Sequence, residues 1–402
     1  MRHVPFLLAL AVVTLITACT SNSLSPTAAE QPSDQDLKWL DQKEAEAERR
    51  IAEHEATILN HPNYLETAGK TASPTVYLQA GSVDGLQAAV DQAGPYGKVV
   101  VKPGLHIENQ TVTITHPVRI IGQGNAIIQS NVAPTGDLTT LPATITPSIY
   151  ITGADYVQIR KLTFVPDPAR GFGELAIGTN NADYVYIRDN DFQNFTCAVL
   201  ARKSAYALVL RNQAEGVVSD GLSQSFILDV ASSGFIHASG AHATYVKNTT
   251  SDFVNGMFLC DADGLMCQNI GNNNATSLTL CKWPKMYTLF PDGDSAGADI
   301  SATNWLVISN KADQSIGNGY QVFDGSNNNL LVSNEATNSG GYDAYFAPEV
   351  APGPLGVVPV LPVVFDNTYI GGRYPGQSVK DCGLNNTITG ANLADPAVDP
   401  CP

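Results

Sequence analysis

Charge is scarce in this chain. Only 15% of its 402 residues are Asp, Glu, Lys or Arg, against roughly 25% in ordinary globular domains. Cations are the scarcer sign: 22 Lys and Arg face 38 Asp and Glu, a net −16. Without clustered cations to displace counterions from phosphates, nucleic acid is not an expected partner. Cysteines and histidines nowhere fall at zinc-site spacings, and no Gly-x-Ser-x-Gly elbow is present. Beyond the first residues, no apolar run approaches the ~20 that a spanning helix needs. What the chain does have is glycine, 34 of them, and frequent Asn. Low charge with much Gly and Asn is the profile of an all-β repeat protein with short turns.

Residues 1–19 (MRHVPFLLALAVVTLITAC) place Arg2 before an uncharged apolar run and a small Ala18. That order reads as an export signal. The end of the segment, Ile16-Thr17-Ala18-Cys19, resembles the bacterial lipobox. The resemblance implies that Cys19 starts the mature chain and carries lipid, whose acyl chains partition at roughly 0.8 kcal/mol per buried methylene. It also implies an envelope location, the outer membrane or cell surface in a Gram-negative cell, since Thr20 rather than Asp follows Cys19. Six further cysteines in an exported chain suggest disulfides, with Cys382–Cys401, closing the C-terminal tail, the expected pairing.

Three regions follow. Residues 20–74 comprise a Ser/Thr/Pro/Ala-rich tether and a predicted helix over 36–59. There Leu37, Leu40, Ala47, Ile51 and Ile58 lie near one stripe that Glu44 and His54 interrupt. The helix is expected to pack on the body rather than form a short coiled coil. The body spans 75–402. It opens with a second short helix, in which Val83, Leu86, Val90 and Ala93 make an apolar face behind a Ser82/Asp84 cap.

An internal repeat decides the fold class. Residues 156–164 (YVQIRKLTF), 184–192 (YVYIRDNDF), 206–214 (YALVLRNQA), 243–251 (ATYVKNTTS), 264–272 (GLMCQNIGN), 305–313 (WLVISNKAD) and 329–337 (NLLVSNEAT) share alternating aliphatics followed by an Asn- or Asp-rich turn. A second motif recurs between them, as in SGFIHASG from Ser233 and NGYQVFDGSNN from Asn318. The period of about 18 to 28 residues suits one coil of a parallel β-helix, with Asn at a left-handed turn and stacked in ladders. The repeats resemble the pectate-lyase-like superfamily, and the Asn-rich coils are most similar to the NosD type. The resemblance covers residues 75–392. It implies a single-stranded right-handed parallel β-helix whose first coil is plugged by the short helix. It does not fix an activity, because that superfamily holds lyases, hydrolases, epimerases, esterases and inert scaffolds.

Two regions carry candidate chemistry. With Ile159, Ile187, Leu210 and Val246 taken as inward, the next residues, Arg160, Arg188, Arg211 and Lys247, form an outward row spaced ~4.8 Å apart. Asp229 and Gln268 belong to the same expected row. Such a row suits an anionic polysaccharide, since guanidinium forks bind carboxylates. In the related lyases and epimerases a Lys or Arg acts as base or carboxylate neutraliser, which the resemblance would give to Arg211 and Lys247. The alternative is a solvated face balanced by Asp155, Asp183 and Asp189. The second region, residues 260–294, sets Lys282 and Lys285 around Trp283, a pattern for stacking on sugars. Its Asp261, Asp263, Asp292 and Asp294 are candidate Ca²⁺ ligands. His237 is expected in the core, aligned with Leu259, Val322 and Ala344, and His242 in a turn. The paired-Asp and Arg-x-Lys motifs of polygalacturonases and the Asp-Pro-His-Asp motif of mannuronan epimerases are absent. Two functions stay open: binding, with cleavage or epimerisation, of an acidic polysaccharide, or a non-catalytic scaffold for an envelope partner.

Overall fold

In the computed structural model, the described residues are 32–64, 74–133, 143–217, 232–281, 288–289, 293, 301–348 and 362–401. Cys19, Asp229, Lys282, Trp283, Lys285, Asp292, Asp294 and most of the proline-rich 350–364 lie outside them. The body is a right-handed parallel β-helix. Three parallel sheets of 12, 9 and 11 strands run its length, and successive coils visit them in turn. The first sheet runs from Thr75–Leu78 to Thr387–Thr389, the second from Gly104–Glu108 to Glu335–Thr337, and the third from Val112–Ile114 to Ala391–Leu393. Stacked coils bury one continuous apolar interior. On the first sheet, Ile159, Ile187, Val209, Tyr245, Met266, Val307 and Leu331 are in register and point into it.

That register corrects the expected one. Ile187 pairs with Val209, not Leu210, and Val209 with Tyr245, not Val246. A slip of one residue turns every side chain of a strand to the other face. The column that fixes the frame is Asn190, Asn212, Asn248, Asn269, Asn310 and Asn334. Each of the first five donates its amide to the next one's Oδ1 at 2.9–3.0 Å. The ladder is buried, so each rung replaces a bond to water that the interior denies. The left-handed backbone falls on the residue before each Asn: Asp189, Arg211, Lys247, Gln268, Ser309 and Ser333 have φ of 49–55°.

The N-terminal plug is present as helix α2, Leu86–Ala93, with Leu86, Ala89, Val90 and Ala93 buried. Val83 stays outside the helix and 59% exposed. Neither Ser82 nor Asp84 caps it. Glu108 of a strand in the second sheet reaches over instead, and Leu86 N–H donates to its Oε1 at 3.0 Å. Asp84 is engaged by Asn109. The Cys382–Cys401 disulfide is present.

The preceding helix, α1, spans Asp34–Leu59 behind a Ser33/Asp36 capping box. It lies along the outer face of the first sheet. Leu40, Ala47 and Ile58, seven and eleven residues apart and therefore on one side of a 3.6-residue helix, are buried against Tyr186, Leu210, Val246, Cys267, Ile308 and Val332. The two polar interruptions of its stripe are attachment points. Glu44 accepts from Ser309 Oγ at 2.8 Å, and His54 bonds Thr244 Oγ1 (3.1 Å) and the Tyr206 carbonyl (2.6 Å).

Candidate functional site

The corrected register dissolves the single cationic row. Arg160 and Arg188 are in register with Leu210, Val246, Cys267, Ile308 and Val332. That outward stripe is mostly apolar, and α1 covers it. Arg188 is taken up by intramolecular partners: the Glu55 carboxylate of α1 in a close ion pair, the Tyr186 hydroxyl at 2.6 Å and Asp189 at 2.9 Å. Arg160 is half-buried, 6.0 Å from the Tyr186 ring centre, and burial pulls its guanidinium below the ordinary value. Arg211 and Lys247 sit one residue later, at the left-handed corner leading to the second sheet. Arg211 is bound by Asp189 through two bonds of 2.8 and 3.1 Å. Lys161 and Lys247 are exposed on that corner. The structure thus brings the four predicted cations near one edge but splits them into a covered pair and an exposed pair.

The expected calcium cluster also divides. Asp261 is fully buried, its Oδ2 3.0 Å from Nε2 of His237, whose Nδ1 lies 3.1 Å from the Tyr245 hydroxyl. Asp263 sits on an outer corner and accepts from Asn304. Two neighbouring carboxylates therefore face different sides of the wall and do not share a cation. Among the described residues no three His, Cys, Asp or Glu side chains converge as a metal site. His237 is the core residue expected, though in register with Leu259, Leu280, Val322 and Phe346 rather than Ala344.

A feature the sequence reading passed over lies at the opposite edge of the first sheet. Tyr156, Tyr184, Tyr206 and His242 occupy the left-handed position of four successive coils, with φ of 54–58°. Their rings stack at 4.7, 4.8 and 4.8 Å, with the three tyrosine planes nearly parallel. His61, just beyond α1, extends the row to Tyr156 at 4.1 Å and to Tyr96 at 5.5 Å. Coil pitch and ring-stacking distance coincide, so a column of aromatics at this corner stacks without strain. Each ring covers its neighbours' faces, and the outer edges remain open; Tyr206 is 36% exposed. Where α1 passes this corner, Arg50, Glu53, His54 and Thr57 face Tyr184, Tyr206, His242 and Thr244 across a cleft of about 250 Å³. Burial holds the His54 imidazole below its ordinary pKa, so it is neutral at pH 7 and hydrogen-bonds as a neutral ring. The column was visible in the sequence as the leading Tyr of three repeats.

Glu174 is a perturbed carboxylate apart from this corner. Burial raises its pKa to about 7, and Thr146 N–H donates to its Oε2 at 3.0 Å. It is the second residue of the strand Gly173–Asn180, whose far end leads to Tyr184, so the two features lie on opposite edges of the third sheet.

No known protein family matches this chain, and no curated protein does. Solved structures of similar chain course include ORF18 of Geobacillus virus E2, at 11% identity over 79% of this chain, with a TM-score of 0.43. This chain spans 60% of that protein's length. The surface protein and adhesin PfbA of Streptococcus pneumoniae matches at 12% identity over 80% of this chain and 99% of its own, with a TM-score of 0.45. An alginate lyase from Paenibacillus sp. str. FPU-7 matches at 10% identity over 80% and 99%, with a TM-score of 0.36. None of them lends a residue role to this chain.

Proposed function

We propose that this protein is an envelope-anchored β-helix that binds a polysaccharide along the corner formed by Tyr156, Tyr184, Tyr206 and His242, with the cleft beside α1 taking one sugar residue. The observation that carries the reading is the aromatic column itself: four rings at coil pitch, ending in a cleft with an arginine and two imidazoles. A linear polymer laid along the solenoid meets the same edge at every coil, as repeated weak contacts require. Tyrosine suits this role because its ring body is apolar and its hydroxyl bonds sugar hydroxyls. Arg50 lines the cleft together with Glu53, and exposed Lys161 and Lys247 lie at the far edge of the sheet, so the acidic character of the polymer rests on these separate cations and not on the corner itself. Lipid attachment at Cys19 and an outer-membrane location belong to the same reading and rest on residues 16–20. We place binding ahead of lyase or epimerase chemistry, because Arg211, one of the two cations assigned a catalytic role, is engaged by Asp189.

Affinity electrophoresis in gels containing polygalacturonate, alginate, a glycosaminoglycan or a neutral glucan tests this. Tyr184→Ala with Tyr206→Ala should weaken retention at least about tenfold, the equivalent of 1.4 kcal/mol. Tyr206→Phe, which keeps the stack, should weaken it less. Lys161→Ala with Lys247→Ala removes only exposed charges and should cost at most a few-fold, more at low salt. Unchanged retention in both tyrosine variants would refute the assignment. Accumulation of unsaturated uronate absorbance would instead establish a lyase.

A further inference from the structure

Two thiols of neighbouring coils meet on the outer face of the third sheet. Leu259 in strand Asn255–Ala262 pairs in register with Leu280, the last residue of Thr276–Leu280. The next residues, Cys260 and Cys281, are therefore stacked one coil apart, and their Sγ atoms lie 3.8 Å from each other. Both are fully buried, in an apolar cluster with Leu200, Ile236 and Phe258. Paired parallel strands are about 4.8 Å apart, within the roughly 4.4–6.8 Å between Cα atoms that a disulfide spans. The Sγ atoms must approach from 3.8 Å to about 2.0 Å, which rotation about the two Cα–Cβ bonds would supply. Among the described residues the other buried thiols have no such partner: Cys197 pairs in register with Ser233, and Cys267 faces α1 on a different sheet.

We propose that Cys260 and Cys281 form a second disulfide, stapling consecutive coils, by exchange with a disulfide donor as the chain folds. One thiolate attacks the donor disulfide, forming a mixed disulfide and releasing one donor thiol. The second thiolate then displaces the other donor sulfur. The two cysteine thiol protons pass, through solvent, to the two donor sulfurs, so the cysteines are oxidised by two electrons and the donor is reduced to two thiols. Exchange precedes closure of this face, because burial raises the Cys281 thiol well above its ordinary value and removes the reactive thiolate. The proposal rests on the export reading for its oxidising compartment; the pairing itself rests on geometry alone.

Peptide mapping decides between the outcomes. The reduced, unfolded full chain is refolded in a mixture of reduced and oxidised glutathione, alkylated and digested without reductant. The expected result is a linked Cys260/Cys281 peptide pair, with Cys197 and Cys267 alkylated. Recovery of Cys382–Cys401 as a disulfide with both Cys260 and Cys281 alkylated would overturn the proposal. A second measurement uses the Cys382→Ser/Cys401→Ser protein, which lacks the terminal bridge. Its denaturation midpoint should fall when reductant is added, and an unmoved midpoint counts against a staple. Protein alkylated directly from cells tests the compartment separately. Thiols there, beside a bridge in the refolded chain, would refute export and leave the pair standing.

Discussion

Asn248 illustrates how a single side chain secures three coils. Its amide donates to the Val209 carbonyl of the coil before and to Asn269 Oδ1 of the coil after, while its own oxygen accepts from Asn212. Alanine there strips the partners from several buried groups at once, and each unsatisfied group costs about 1–3 kcal/mol. We expect Asn248→Ala to lose about 3 kcal/mol or more in urea unfolding, with far-UV circular dichroism still showing β structure. Glu108 makes the opposite kind of contribution. Burial raises its carboxyl from 4.5 to about 7 while it caps α2. Folding therefore favours the protonated form. The stabilisation is fully present below about pH 4.5 and is lost as pH rises through 7. Glu108→Gln keeps an acceptor for Leu86 N–H and cannot ionise. Its stability should change less than the wild type's between pH 4.5 and 7.5; an identical pH profile for the two proteins would refute this.

At the scale of elements, α1 governs what the first sheet can do. The outer face of that sheet reads as a ligand track only while the helix is left out of account. With α1 in place, the face becomes an interface whose apolar stripe, Leu210 to Val332, is buried. Its acids are satisfied locally, Glu55 by Arg188 and Asp41 and Glu44 by Arg373. Ala47 is at the centre of the contact and fully buried. Ala47→Asp places an unpaired carboxylate there, and we expect a loss of about 3 kcal/mol or more. Limited proteolysis should then cut within α1 before the body, whereas the wild-type helix resists until global unfolding.

The whole molecule is a stack of coils whose neighbours alone would touch, the arrangement that tends toward piecemeal unfolding. Here α1 runs along the stack in the reverse direction. Leu40 lies against Gly372, where a Cβ would meet its Cδ1 at 3.1 Å, and Tyr64 donates to the carbonyl of Tyr156. Its 26 residues make about 39 Å of helix, equal to about eight coil spacings of 4.8 Å. A strut of that length couples coils that share no strand pairing. The Ala47→Asp protein should therefore unfold less cooperatively, with a smaller denaturant slope as well as a lower midpoint. A lowered midpoint with an unchanged slope would show that α1 stabilises the stack without coupling it.

The Cys382–Cys401 bridge was the expected pairing, but the fold decided it. The sequence by itself determined the repeat, and with it the parallel β-helix, a plug helix ending at Ala93 and the docking stripe of α1. These follow from local periodicity and from side chains that recur once per coil. Register was equally written there, in the Asn column from Asn190 to Asn334; aligning cations instead shifted Arg211 and Lys247 by one position. Tertiary structure alone decided which face is open. Whether Arg188 meets a ligand or Glu55 depends on a helix some 130 residues away, and no repeat encodes that. The fate of Asp261 and Asp263 was decided in the same way, because a bend in the wall turns one inward to His237 and leaves the other on the corner. The aromatic corner lies between these cases: its tyrosines recur in the repeats, but only the stacked coils bring them to ring-contact distance.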